Sequence, residues 1–173
     1  KNKASLTNET TKAYNATKNA VVSVINKQAT SSSDSLYGNV TGGSTSSSSG
    51  SLETASEGSG VIYKKSGNVA YVVTNNHVVS GSSEIQVILR NGKTVDAQIV
   101  GTDETTDLAV LKINAANVTT VATFGNSNDI AAGQDVIAIG SPMGSEYANT
   151  VTKGIISATK RTVKASDSSV ATT

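Results

Sequence analysis

From Gly58 onwards the sequence breaks into short β-rich runs separated by turn residues, and apolar residues do not recur there at helical spacing. Val61-Ile62-Tyr63 leads through Lys64-Lys65-Ser66-Gly67-Asn68 into Ala70-Tyr71-Val72-Val73, the pattern of a hairpin. Ile85, Val87 and Leu89 alternate with polar positions, Asn91-Gly92 offers a tight turn, and Val95, Ala97 and Ile99 alternate on the return, which predicts a second hairpin. Residues 108–113, 136–139 and 149–159 read as further strands. Strands that follow one another without helical crossovers argue for an all-β antiparallel barrel or sandwich rather than a βαβ fold. Closure into a barrel would remove the edges that such strands otherwise present.

The sequence upstream is different. Residues 1–20 are polar and rich in Lys, Asn and Thr, and predict an arm with at most a short helix over residues 12–20. Val21, Val22, Val24 and Ile25 form a β-branched cluster suited to a first strand. Residues 28–57 turn to Ser, Thr and Gly, including Ser46-Ser47-Ser48-Ser49-Gly50, and predict a long flexible loop.

Composition narrows the chemistry. Fourteen basic against 13 acidic residues give a net charge of +1, and aromatics are only 3% of the chain, so neither the field nor the stacking surface of a nucleic-acid binder is present. The lack of cysteine excludes disulfides, thiolate metal sites and a cysteine nucleophile. No apolar run approaches the roughly 20 residues of a membrane span. The start at Lys1, without a methionine or an apolar signal core, is what removal of an upstream export or anchor segment would leave.

His77 is the only histidine, which rules out a multi-histidine metal site and leaves acid–base work as its functional role. A lone histidine is more often structural. In Thr74-Asn75-Asn76-His77-Val78-Val79, however, it stands at the end of an apolar strand, where the chain turns towards a helical step, a rigid mount for a general base. Asp107 lies in Asp103-Glu104-Thr105-Thr106-Asp107-Leu108-Ala109-Val110-Leu111. A solvated acidic turn accounts for Asp103 and Glu104. Asp107 abuts the apolar run instead, where a carboxylate could orient an imidazole and stabilise its charged form.

These segments resemble the HtrA/DegP family of trypsin-like serine proteases. The likeness is carried by Gly58-Ser59-Gly60-Val61-Ile62, the stretch around His77, Thr106-Asp107-Leu108-Ala109-Val110-Leu111-Lys112-Ile113, Phe124-Gly125-Asn126-Ser127, Ala138-Ile139-Gly140-Ser141-Pro142-Met143-Gly144 and Thr150-Val151-Thr152-Lys153-Gly154-Ile155-Ile156-Ser157, in the family's order. The resemblance implies a chymotrypsin-like double β-barrel, with His77 as general base and then acid and Asp107, 30 residues on, as its orienting partner. Residues 1–20 are then a polar arm, 21–125 the first barrel with the Ser/Gly-rich loop at 28–57, and 126–173 the opening strands of a second barrel. It also implies unfolded proteins or peptides as substrates, an extracytoplasmic location, a parent protein that is membrane-anchored or secreted and trimeric, and no cofactor or metal.

The family's nucleophile comes from a Gly-Asn-Ser-Gly-Gly motif that this sequence does not contain. Ser141, before a proline, and Ser59, in the opening strand, lack the local context of a nucleophile. The expectation is therefore a chain with two members of a triad, inactive alone, whose second-barrel strands expose unpaired edges and pair with another chain, fold onto the first barrel or move. The peptide-binding PDZ domain of the family is likewise absent from the sequence. A protease-like barrel acting as a non-catalytic binding or regulatory module is the competing reading; retention of both His77 and Asp107 argues against it.

Overall fold

The computed structural model describes residues 8–30, 51–141 and 150–160. The chain enters through helix α1 (Glu9–Thr17), which starts earlier than residue 12 because Asn8 caps it, accepting from the Thr11 N–H at 2.9 Å, and Glu9 complements the helix dipole in the first turn. A 3-10 turn at Lys18–Ala20 completes the predicted helical span. The arm is tied to the body: the Arg90 guanidinium donates to the Tyr14 hydroxyl at 2.9 Å and lies over its ring.

Six strands then close a barrel in the order β1-β2-β3-β6-β5-β4, every neighbour antiparallel, with β4 returning to β1. They are β1 (Val21–Ala29), β2 (Leu52–Ser66), β3 (Val69–Asn75), β4 (Glu84–Ile88), β5 (Thr94–Asp103) and β6 (Leu108–Asn114), with the short helix α2 (Asn76–Val79) between β3 and β4. The two-residue side-chain period sends Val22 and Val24, Ile62, Val72, Val87 and Leu111 inwards, where each is at most 1% exposed. Burying each contributes roughly 1.5–3 kcal/mol, and this shared core is what joins the hairpins. At Gly60 a Cβ would sit 2.8 Å from Val72 Cγ1 and 3.0 Å from Val24 Cγ2, so only glycine lets β1, β2 and β3 approach this closely.

The predicted loop over residues 28–57 is too long at both ends. β1 continues through Ala29, and β2 begins at Leu52, with Gln28 opposite Glu53 and Ala29 opposite Leu52. Ladder hydrogen bonds between facing strands override the weak strand preference of Ser, Gly and Glu there. Residues 31–50 of that prediction lie outside the described residues. The first hairpin is also tighter than predicted, because β2 runs to Ser66 and leaves only Gly67 and Asn68 as the turn.

After β6 the chain returns beside β2, where the Ala122 N–H donates to the Ile62 carbonyl at 2.8 Å. Strands β7 (Asp135–Gly140) and β8 (Thr150–Ile155) pair antiparallel as a separate two-stranded sheet, from Asp135 opposite Ile155 to Gly140 opposite Thr150. Each thus satisfies one edge of the other. β8 stops short of residue 159, and residue 149 lies outside the described residues. Beyond β7 the chain folds against the barrel: Ser23 Oγ donates to the Ser141 carbonyl at 3.0 Å and lies 2.6 Å from Ser141 Oγ, while the Ser141 N–H donates to Ser59 Oγ at 2.8 Å.

Candidate active site

The site is assembled by strand register. β3 and β6 pair with Asn75 opposite Leu108, so the first residues after β3 face the residue before β6. That brings His77, in α2, to Asp107. His77 Nδ1 lies 2.6 Å from Asp107 Oδ2, and the His77 backbone N–H donates to Asp107 Oδ1 at 2.9 Å. Each carboxylate oxygen is therefore committed to a different part of one residue, which fixes both the carboxylate rotamer and the ring.

Asp107 has φ = 54°, a left-handed backbone that an L side chain adopts at a cost. The Asp107 carbonyl accepts from the Asn76 N–H at 3.1 Å and from Asn75 Nδ2 at 3.0 Å, and the Asp107 N–H donates to the Glu104 carbonyl at 3.3 Å. Asp103 has a structural part beside it, its carboxylate accepting from the Thr105 N–H at 2.9 Å as an Asx turn does.

The backbone N–H of His77 and then its ring hold the Asp107 carboxyl below the usual aspartate range, against a smaller opposing effect of desolvation. Asp107 is therefore ionised at neutral pH and can only accept. His77 Nδ1 must then carry the hydrogen of that contact, and the neutral ring keeps its lone pair on Nε2. The imidazole side chain is 72% exposed, so Nε2 is open to a reacting group. This arrangement can take a proton at Nε2 and stabilise the resulting imidazolium through Asp107.

Helix α2 has only four residues and is held from beneath. Asn26 Nδ2 donates to the Val78 carbonyl at 3.0 Å and to the Ser80 carbonyl at 2.9 Å, and Ser56 Oγ donates to the Val78 carbonyl at 2.7 Å. A Cβ at Gly58 would meet Val78 Cγ2 at 2.6 Å, so that glycine leaves the room in which Val78 seats. Sequence reading passed over Asn26, Ser56 and Asn75. A polar residue within the apolar run Val24-Ile25-Asn26 was the available signal for Asn26, since a buried amide needs partners. Ser59 and Ser141 belong instead to the hydroxyl cluster under β7. No group of three or more His, Cys, Asp or Glu side chains that could hold a metal occurs among the described residues.

Residues 58–173 match the trypsin-like peptidase domain family. The chain is 60% identical over 162 residues to a serine protease Do-like HtrA of Lactobacillus helveticus, covering 90% of this chain and 39% of that protein. It is 52% identical over 157 residues to the protein of the same name from Lactococcus lactis, covering 90% and 38%. A probable periplasmic serine endoprotease DegP-like of Halomonas elongata is 49% identical over 113 residues, covering 65% and 23%. The chain thus spans less than two fifths of the length of these relatives. With a closed antiparallel barrel, a histidine at the end of one strand and an aspartate at the start of its neighbour, the chain is similar over most of its length to proteins named HtrA and belongs to the trypsin-like peptidase domain family.

Proposed function

We propose that His77 and Asp107 are the acid–base pair of a serine endopeptidase. The observation that carries this reading is the double engagement of Asp107, one oxygen on the ring Nδ1 and the other on the His77 backbone, which leaves Nε2 as the proton acceptor. In the reaction, Nε2 takes the proton of a serine hydroxyl as its oxygen attacks the scissile carbonyl. The imidazolium is stabilised by Asp107 and returns the proton to the departing amine nitrogen. The 173 residues contain no Gly-Asn-Ser-Gly-Gly, so the serine and its oxyanion donors come from the remainder of the whole protein. Its substrates in this reading are unfolded or peptide segments of extracytoplasmic proteins, supported by the relative named a periplasmic endoprotease. Trimeric assembly and a membrane anchor on the parent complete the proposal; among the described residues no helix is long and apolar enough to cross a membrane.

The test uses the whole protein, labelled with a serine-directed phosphonate and assayed on casein. Labelling should vanish in His77→Ala, and Asp107→Asn should lower kcat by about 10⁴ by leaving the wrong tautomer. The 173-residue chain alone should be inert. Casein turnover by that chain, abolished by His77→Ala, would overturn the assignment of the nucleophile.

A further inference from the structure

We infer that Asn75 is a positioning residue for the His77–Asp107 pair, acting through the backbone of Asp107 rather than on any reacting atom. The inference rests on the acid–base reading above. Its starting point is the strain: the one residue whose carboxylate must be aimed at the ring is in the left-handed region, with φ = 54°. Apart from Lys160, no other non-glycine residue among those described has a positive φ. Such a conformation persists only where the surroundings over-determine it.

Two donors meet on the Asp107 carbonyl, the Asn76 N–H and Asn75 Nδ2. The first is backbone and available to any sequence. The second is a side chain, and among the described residues the only side-chain donor on that carbonyl. Asn75 is the last residue of β3, paired with Leu108 in β6, so its backbone is fixed by the ladder while its amide reaches back across the pair. Rotating the Asp107 peptide out of the left-handed region would swing its carbonyl away from both donors and its Cβ away from α2. Oδ1 and Oδ2 would then leave the His77 N–H and the ring together. Asn75 thus stabilises the backbone state from which the carboxylate can reach His77. Asn75 is itself exposed, so replacing it should leave the barrel intact.

Because His77 is the only histidine in the chain, its ring Nδ1–H proton can be followed by NMR in the 173-residue protein without ambiguity. The wild type should show a strongly downfield Nδ1–H resonance. In Asn75→Ala this proton should exchange with solvent roughly two- to tenfold faster, the factor that one lost hydrogen bond gives. The Asp107 carboxyl carbon should titrate at higher pH than in the wild type, while the amide shifts of β1, β2 and β4 stay in place. Asn75→Asp, similar in size but without a donor when ionised, should speed the exchange as the Ala variant does. An unchanged exchange rate and an unchanged Asp107 titration in both variants would overturn the role of Asn75. Absence of the downfield proton in the wild type would instead overturn the pair itself, and the two failures are therefore distinguishable.

Discussion

At the scale of the residue, the least ordinary feature is that Asp107 adopts a left-handed backbone while both its oxygens are engaged by His77. Its carboxyl is held below the usual aspartate range, first by the His77 backbone N–H and then by the ring. A carboxyl with a depressed folded-state pKa adds stability that is present above its unfolded value and lost as pH falls through the folded one. The wild type should therefore lose a stabilising contribution below about pH 4 that Asp107→Asn never had. Thermal denaturation of both proteins from about pH 6 to about pH 3 checks this, and the gap between their melting temperatures should narrow on acidification. A gap that is constant or widens would refute it. Both residues are legible as candidates in the sequence, because each closes or opens an apolar run; the sign of φ at Asp107 is not, since aspartate visits the left-handed region only where neighbours hold it.

At the scale of the element, α2 illustrates how little local propensity decides. A single helical turn is unstable alone, because nucleation costs more than its one or two hydrogen bonds return. Here it is held by Asn26, buried in β1 at 1% exposure, which donates to the Val78 and Ser80 carbonyls. Asn26→Ala would leave the Val78 carbonyl to Ser56 and the Ser80 carbonyl to a 3.5 Å contact with Gln28. The expected loss is about 1–3 kcal/mol by denaturant unfolding, together with faster amide exchange at Ser80. A loss indistinguishable from zero would show that water takes over both carbonyls. The same dependence on partners explains the extended β1–β2 arm: Glu53 and Leu52 are strand residues because Gln28 and Ala29 face them, not because of their own preferences.

At the scale of the whole molecule, the barrel and the β7–β8 sheet are linked through three serines. Ser23 and Ser59 come from adjacent strands of the barrel, and Ser141 follows β7. Ser23→Ala removes two of the three contacts and should raise amide exchange in β7 roughly two- to tenfold while leaving β1–β6 unchanged. Equal protection of β7 in both proteins would show that the sheet is held by other contacts. By itself the sequence determined the alternation that makes strands, the Asn91-Gly92 turn and the candidacy of His77 and Asp107, because each depends on residues close together in the chain. Only the tertiary structure decided that β3 pairs with β6, that Asn75 reaches the Asp107 carbonyl, and that Asn26 supports a helix 52 residues away. Those outcomes follow from barrel closure, in which burying one shared core selects the register and the register selects which polar groups meet.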